Sequence, residues 1–185
     1  MATANDVRKG MGIKYNGEVC IVLETQHRTP GNLRAFVQAT IRQIKSGKSS
    51  VVRFSSTENI EVVPMMNQRL DFSYTDASGY NFMDPQTYET ITLKDDVVGD
   101  AKQYLVENLS VSVTYIDDIP VSIELPPSVT LKVVQAAEGV RGDTATKTTK
   151  TVKMENGMLL QVPLFIKEGE SLKVDTRTGQ YMSRA

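Results

Sequence analysis

The 185 residues suffice for one large domain or for two to three small ones; 40% are hydrophobic, 23% are charged, tryptophan is absent and the net charge is −1. No apolar run reaches the roughly 18–20 residues that a bilayer span requires, and Met1-Ala2-Thr3-Ala4-Asn5-Asp6 lacks the basic and apolar regions of a signal peptide. The single cysteine, Cys20, cannot close an internal disulfide and suits a reducing compartment, so the chain reads as cytoplasmic.

Nearly every stretch shows two-residue apolar alternation punctuated by turn residues, the pattern of short antiparallel strands. Ile13–Tyr15 and Glu18–Leu23 flank Asn16-Gly17, a dipeptide that tolerates positive φ at both central positions of a tight hairpin. After a polar stretch, Val37, Ala39 and Ile41 alternate with Gln38, Thr40 and Arg42. Lys45-Ser46-Gly47-Lys48 then turns the chain into Ser49–Phe54, and Ile60–Val63 adds another strand. About five strands and no helix predict a small barrel over residues 1–63, closed so that no edge is left unpaired.

Pro64 marks a boundary, because proline donates nothing to a ladder and restricts the residue before it. Strands are predicted at Leu70–Tyr74, Tyr80–Met83 and Tyr88–Leu93, with a turn at Asp76-Ala77-Ser78-Gly79. Val97, Val98, Ala101, Tyr104 and Leu105 recur at helical spacing behind Asp95-Asp96, which predicts a helix within 95–108. Ser110–Ile116 and Ile119–Leu125 form a hairpin around Asp117-Asp118. Five strands with one interposed helix predict an oligonucleotide/oligosaccharide-binding (OB) barrel over residues 64–127.

Pro126-Pro127 marks a second boundary. Strands are predicted at Val129–Ala136, Thr151–Met154, Met158–Val162, Ser171–Asp175 and Gln180–Ser183, giving a third barrel over residues 128–185. Residues 137–150 form a long polar loop rich in Gly, Thr and Lys, a length that is uncommon in small domains and often functional.

Charge is divided along the same boundaries. Residues 1–63 carry nine Lys/Arg against five Asp/Glu, residues 64–127 three against eleven, and residues 128–185 nine against six. Basic ends around an acidic middle suit a molecule whose parts meet different surroundings, and equally suit solubility patterning. An acidic excess repels RNA phosphate, so the middle segment is expected to face protein or solvent.

Side-chain catalysis needs positioned nucleophiles, bases or metals, and the sequence offers few. His27 is the only histidine, so no two-histidine zinc site exists; in a polar stretch it reads as a solvated residue or a ligand contact. Cys20 sits in an alternating strand and reads as a small core residue. Asp95-Asp96 suits a helix start, and no phosphate-cradling glycine run appears. A binding module is favoured over an enzyme, with no cofactor and no metal.

Two loops draw attention instead. Arg28-Thr29-Pro30-Gly31-Asn32-Leu33-Arg34 presents cations beside a Pro-Gly turn, where guanidinium groups and glycine amides can approach a nucleic-acid backbone. Gly139-Val140-Arg141-Gly142-Asp143-Thr144, followed by Lys147 and Lys150, has the same character. Composition serves a solvated hairpin tip and a flexible loop equally well.

The last third carries a resemblance. Gly139-Val140-Arg141-Gly142-Asp143-Thr144, Leu160-Gln161-Val162-Pro163-Leu164-Phe165 and Val174-Asp175-Thr176-Arg177-Thr178-Gly179-Gln180-Tyr181-Met182-Ser183-Arg184 closely resemble the C-terminal signature of bacterial elongation factor P. Val121-Ser122-Ile123-Glu124-Leu125-Pro126, Asp6-Val7-Arg8-Lys9-Gly10 and Pro30-Gly31-Asn32-Leu33-Arg34-Ala35-Phe36 extend the likeness almost end to end.

The resemblance implies an all-β fold of three barrels in series, an SH3-like domain and two OB domains, L-shaped and about the size of tRNA. It implies a monomeric translation factor that binds both ribosomal subunits beside the peptidyl-tRNA and relieves stalling at consecutive prolines. Pro30, Gly31, Asn32, Leu33 and Arg34 are then expected at the tRNA CCA end and the peptidyl-transferase centre. Gly142, Asp143 and Thr144 are expected near the exit-site mRNA codon on the small subunit, with Arg141, Lys147, Lys150, Tyr181 and Arg184 as further RNA contacts. A paralogue with a message-specific translational role is the alternative.

Family members commonly carry a modified lysine in Pro-Gly-Lys-Gly-Gln-Ala-Phe, where this chain has Asn32. An amide offers no nucleophilic amine, so a lysine-type modification is ruled out there. Arg34 shares a face with residue 32 in an extended segment and is expected to supply the cation without modification.

Overall fold

The computed structural model describes residues 2–31, 34–136 and 149–185. The first segment builds β1 (Ala2–Thr3), a 3-10 turn (Ala4–Asp6), β2 (Gly12–Tyr15), β3 (Glu18–Arg28), β4 (Phe36–Gln43), β5 (Ser49–Ser55) and β6 (Asn59–Val63). These strands form one antiparallel sheet in the order β1-β6-β2-β3-β4-β5. Asn16 and Gly17 adopt φ of 50° and 80°, the left-handed pair that a two-residue hairpin with native strand twist demands.

Alternation sends Val37, Ala39 and Ile41 of β4, and Val52 and Phe54 of β5, into a core shared with Ile13, Cys20 and Val22. Each fully buried aliphatic side chain there contributes roughly 1.5–3 kcal/mol relative to exposure. The ring of Tyr15 meets Phe54 edge-on at 5.7 Å between centroids.

The second segment supplies β7 (Met65–Asp76), β8 (Gly79–Met83), β9 (Thr90–Leu93), α1 (Asp95–Val98), a 3-10 turn (Gly99–Tyr104), β10 (Ser110–Ile116) and β11 (Ile119–Glu124). The sheet order is β11-β10-β7-β8-β9. Asp117 and Asp118 take φ of 49° and 61° and close the β10–β11 hairpin as expected from their sequence. The third segment supplies β12 (Ser128–Ala136), β13 (Thr149–Met154), β14 (Leu159–Pro163), β15 (Ser171–Asp175) and β16 (Tyr181–Arg184), in the order β14-β13-β12-β15-β16. Its two end strands, β14 and β16, approach one another and curl the sheet toward closure. The all-β, multi-sheet architecture expected from alternation is what forms.

The chain divides into two compact units, residues 1–67 with Thr114–Val121, and residues 68–113 with Ser122–Ala185. In the first, Ile116 and Val121 pack with Ile21 in a small cluster of their own. In the second, Tyr104 joins the core of β12–β15.

Several expectations need correcting. The first segment, read as free of helix, opens with a 3-10 turn held by Asp6, whose Oδ2 accepts from the backbone N–H and hydroxyl of Thr3 at 2.9 and 2.7 Å. Tyr88 lies outside β9 with φ of 60°, because Asp84 organises a turn across residues 84–89. The helix expected within 95–108 is a four-residue α-turn followed by a 3-10 turn. Gly99, at φ 55° and ψ −139°, ends the first. Val98, Tyr104 and Leu105 are nonetheless buried, as their spacing predicts. Of the loop expected over residues 137–150, Thr149 and Lys150 belong to β13, and residues 137–148 lie outside the described residues.

Candidate nucleic-acid interface

β3 is the longest strand of the first sheet, and its second half carries the functional candidates. The sequence reading ends this strand at Leu23, since the residues beyond are polar. In the structure it runs on to Arg28, paired throughout with β4. Backbone hydrogen bonds carry the ladder there, and no residue of β3 beyond Val22 is buried. The hairpin end is therefore solvated on its outer face and free to present side chains to a partner.

A bulge sets which side chains those are. The register steps from Val22↔Ile41 to Glu24↔Thr40, leaving Leu23 as the extra residue on β3. Side chains alternate with a period of two, so one inserted residue inverts the facing of everything beyond it. Before the bulge the even residues Cys20 and Val22 point into the core. After it Gln26 and Arg28 share the outer face with their partners Gln38 and Phe36, and Thr25 and His27 pair with Ala39 and Val37.

The outer face of β3–β4–β5 consequently carries two cross-strand rows, Gln26–Gln38–Arg53 and Arg28–Phe36–Ser55. The guanidinium of Arg53 lies over the ring of Phe36, with Cζ 3.5 Å from the centroid, a cation–π contact between diagonal neighbours. Arg28 donates through Nη2 to Gln26 Oε1 at 3.1 Å. Among the described residues, no carboxylate lies within 4.0 Å of the guanidiniums of Arg28, Arg34 or Arg53. Arg28 and Arg53 thus flank Phe36 on the outer face of the hairpin, with Glu24 on the same face accepting from Gln26 Nε2 at 3.4 Å.

Of the tip-loop candidates, Pro30 and Gly31 follow β3 and Arg34 precedes β4, with Gly31 and Arg34 exposed. Asn32 and Leu33 lie outside the described residues, and Arg28, counted with the loop in the sequence, is the last residue of β3. His27 is exposed, its Nε2 3.3 Å from the carbonyl oxygen of Asn5. Arg53 was missed by sequence reasoning. It stands in β5, remote in sequence from the loop, and only the β4–β5 register brings it to Phe36.

In the third segment, Arg141, Gly142, Asp143, Thr144 and Lys147 lie outside the described residues. Lys150 pairs with Val162 in β13 and is half-buried. Tyr181 is likewise half-buried and packs on the core. Arg184 is exposed; its Cζ lies 4.7 Å from the centroid of Phe165, and its Nη2 meets Glu170 Oε1 at 3.5 Å. Its charge is therefore already partly answered.

Among the described residues, the groups with shifted acidity serve the fold. Burial pushes the Cys20 thiol up, with the Glu18 carboxylate adding to it, which disfavours the nucleophilic thiolate. Hydrogen bonds from backbone amides of Arg177 and Thr178 hold Asp175 below the usual carboxylate range, a turn-building role. Among the described residues no group of three or more His, Cys, Asp or Glu is placed to hold a metal ion, and no helix is long and apolar enough to cross a membrane.

Comparison with known families matches the chain three times in succession. Residues 3–60 match the elongation factor P KOW-like domain, residues 65–123 the elongation factor P OB domain and residues 129–184 the elongation factor P C-terminal domain. The proteins named elongation factor P from Acidobacterium capsulatum and Kocuria rhizophila are 45% identical over 182 residues and 40% identical over 184. The first alignment covers 98% of both chains, the second 100% of this chain and 98% of the relative. A eukaryotic translation initiation factor 5A from Methanococcus jannaschii aligns in structure over 67% of this chain and 93% of its own. At a TM-score of 0.44 and 16% identity, that likeness is a loose one.

Proposed function

The chain belongs to the elongation factor P family, and from that premise we propose that it binds the ribosome beside the peptidyl-tRNA and stimulates peptide-bond formation at consecutive prolines. The observation that carries this reading is the end-to-end identity of 45% with a protein named elongation factor P. Proline fixes its own φ and restricts the residue before it, so a nascent chain ending in prolines reaches the reactive geometry slowly. Holding the tRNA's CCA end in place removes part of that orientational cost without any bond being made by the factor.

The tip loop, through Pro30, Gly31, Asn32, Leu33 and Arg34, is the segment assigned to the CCA end, and Arg34 is the cation that steadies it. Exposure of Gly31 and Arg34 supports that role, since neither is committed to the core. Gly142, Asp143 and Thr144 are assigned to the small subunit and the exit-site codon, with Arg141, Lys147, Lys150, Tyr181 and Arg184 around them. The factor works as a monomer in the cytoplasm, needs no cofactor and leaves the chemistry to the ribosome.

Synthesis through three consecutive prolines in a purified translation system tests this. Unmodified protein should restore full-length product, and Arg34→Ala should lower the rescue about tenfold, the scale of one lost charge-assisted hydrogen bond. Failure of the unmodified wild type, with the native protein also showing an unmodified mass, would overturn the reading in favour of a message-specific paralogue.

A further inference from the structure

The exposed half of β3 is tied down at one point besides its ladder to β4. Beyond Val22 no side chain of the strand is buried, so packing does little to fix its course toward Pro30 and Gly31. Gln26 bonds to Glu24 and Arg28 to Gln26, all within the strand. His27 is different: its Nε2 lies 3.3 Å from the carbonyl oxygen of Asn5, in the 3-10 turn 22 residues earlier. Among the described residues, this is the one side-chain hydrogen bond that links residues 24–28 to an element other than β3.

The turn that receives this bond is itself firmly placed. Ala4 donates its N–H to the carbonyl of Glu58 at 2.9 Å, and Ala4 and Val7 are buried in the core of the first sheet. Arg8 donates through Nη1 to the same Asn5 carbonyl at 2.5 Å, so that oxygen is held from two sides. A carbonyl has no proton to give, so His27 is the donor, in a form that carries hydrogen on Nε2. The bulge at Leu23 aims it there. By inverting the facing of the residues beyond it, the bulge sets His27 opposite the buried Val37, on the side of the strand where the turn lies.

We infer that His27 is a positioning residue: its hydrogen bond to Asn5 clasps the hairpin end to the N-terminal turn and fixes the direction in which β3 delivers Pro30 and Gly31. This rests on the ribosomal reading above and deepens it, because orientation of the tip loop is what that reading asks the sheet to supply. A hairpin end held only by backbone bonds to one neighbour opens locally at little cost. A second anchor on a buried turn removes that freedom in advance, so less is lost when the tRNA end is met.

The test compares the full-length wild type with His27→Phe, which keeps a planar ring without the donor, and His27→Gln, whose Nε2 donates from a similar reach. Each is first checked for an unchanged thermal transition. Synthesis through three consecutive prolines is then followed in a purified translation system as a function of factor concentration. His27→Phe should lower the saturating rate roughly threefold, within the range of one lost neutral hydrogen bond, and keep the half-saturating concentration within about twofold of wild type. His27→Gln should restore most of that rate. Amide exchange of the free protein should report the same clasp, with residues 26–28 about threefold faster in His27→Phe and residues 19–22 unchanged.

A saturating rate in His27→Phe equal to that of wild type overturns the inference and leaves the ribosomal reading intact. Equal losses in His27→Phe and His27→Gln also overturn it, because the imidazole then acts by something other than the donated bond. A raised half-saturating concentration at an unchanged saturating rate does the same, since His27 is then a binding contact and not a positioning residue. A wild type that gives no rescue removes the ribosomal reading and with it the role assigned to His27.

Discussion

Tyr104 reaches out of the 3-10 turn after α1 into the core of β12–β15, and its hydroxyl stands 3.0 Å from where a β-carbon on Gly179 would lie. Gly179 sits at φ 70° in the turn before β16. Asn156 donates through Nδ2 to the carbonyl of Gln103, next to Tyr104 in sequence, at 2.6 Å. A residue of the second segment therefore belongs to the third segment's core, so the two OB-like portions share packing as well as a linker. Tyr104→Ala should cost about 3–5 kcal/mol, the usual loss for a buried aromatic. Gly179→Ala should cost about 1–2 kcal/mol, since it combines a left-handed backbone with the close hydroxyl. Urea denaturation curves of the three proteins measure both.

Gly79 and Gly31 should respond unequally to the same substitution. A β-carbon on Gly79, at φ 140°, would meet the carbonyl oxygen of Leu93 at 2.5 Å, and a backbone atom of a paired strand cannot yield. A β-carbon on Gly31 would meet no heavy atom of the described residues within 4 Å beyond its chain neighbours. Gly79→Ala should destabilise by roughly 2–3 kcal/mol, in the range of overpacking and strained backbone. Gly31→Ala should leave the melting temperature within a degree or two of wild type, so any loss of translational rescue it causes would reflect the loop's task.

Asp84 gives the fold a pH-dependent support. Its Oδ1 accepts from the backbone N–H groups of Gln86 and Thr87 at 2.7 and 3.2 Å, and its Oδ2 from Gln68 Nε2 at 2.7 Å. These bonds, that of Gln86 foremost, hold its carboxyl below the usual carboxylate range. A group whose folded pKa is depressed stabilises the fold above its unfolded value, roughly 3.9, and loses that contribution as pH falls through the folded one. The urea midpoint of wild type should exceed that of Asp84→Ala by a constant margin from pH 7 to 5, and the margin should narrow below about pH 4. An undiminished gap at pH 3 would mean that packing, and not ionisation, is what the aspartate supplies.

Cys20 should behave as a core residue. It is fully buried, and burial raises its thiol above the ordinary value. Alkylation by iodoacetamide at pH 8 should be at least about a hundredfold slower in native protein than in urea, since both access and thiolate are suppressed. Rapid native labelling would show that β2–β3 opens far more readily than its neighbours.

Much of this fold was legible in the sequence. Turn chemistry located the hairpins at Asn16-Gly17 and Asp117-Asp118, where residues that accept positive φ stand in pairs. Alternation found the inward face of β4, where Val37, Ala39 and Ile41 are buried, because a period of two is local to the strand. The family itself was readable from long contiguous motifs. What was not readable came from pairing. The continuation of β3 to Arg28 depends on hydrogen bonds to β4, which polar side chains do not announce.

The candidate site divides in the same way. Residue order alone established that a cationic Pro-Gly loop joins two strands, that Asn32 stands where the family commonly has a modifiable lysine, and that Cys20 and His27 are the only cysteine and histidine. Only the tertiary structure decided that Leu23 bulges, that Arg28 therefore faces outward, and that Arg53 from a third strand lies on Phe36. Local preference is written residue by residue, whereas facing and register are properties of two or three strands held together, and no single strand encodes them.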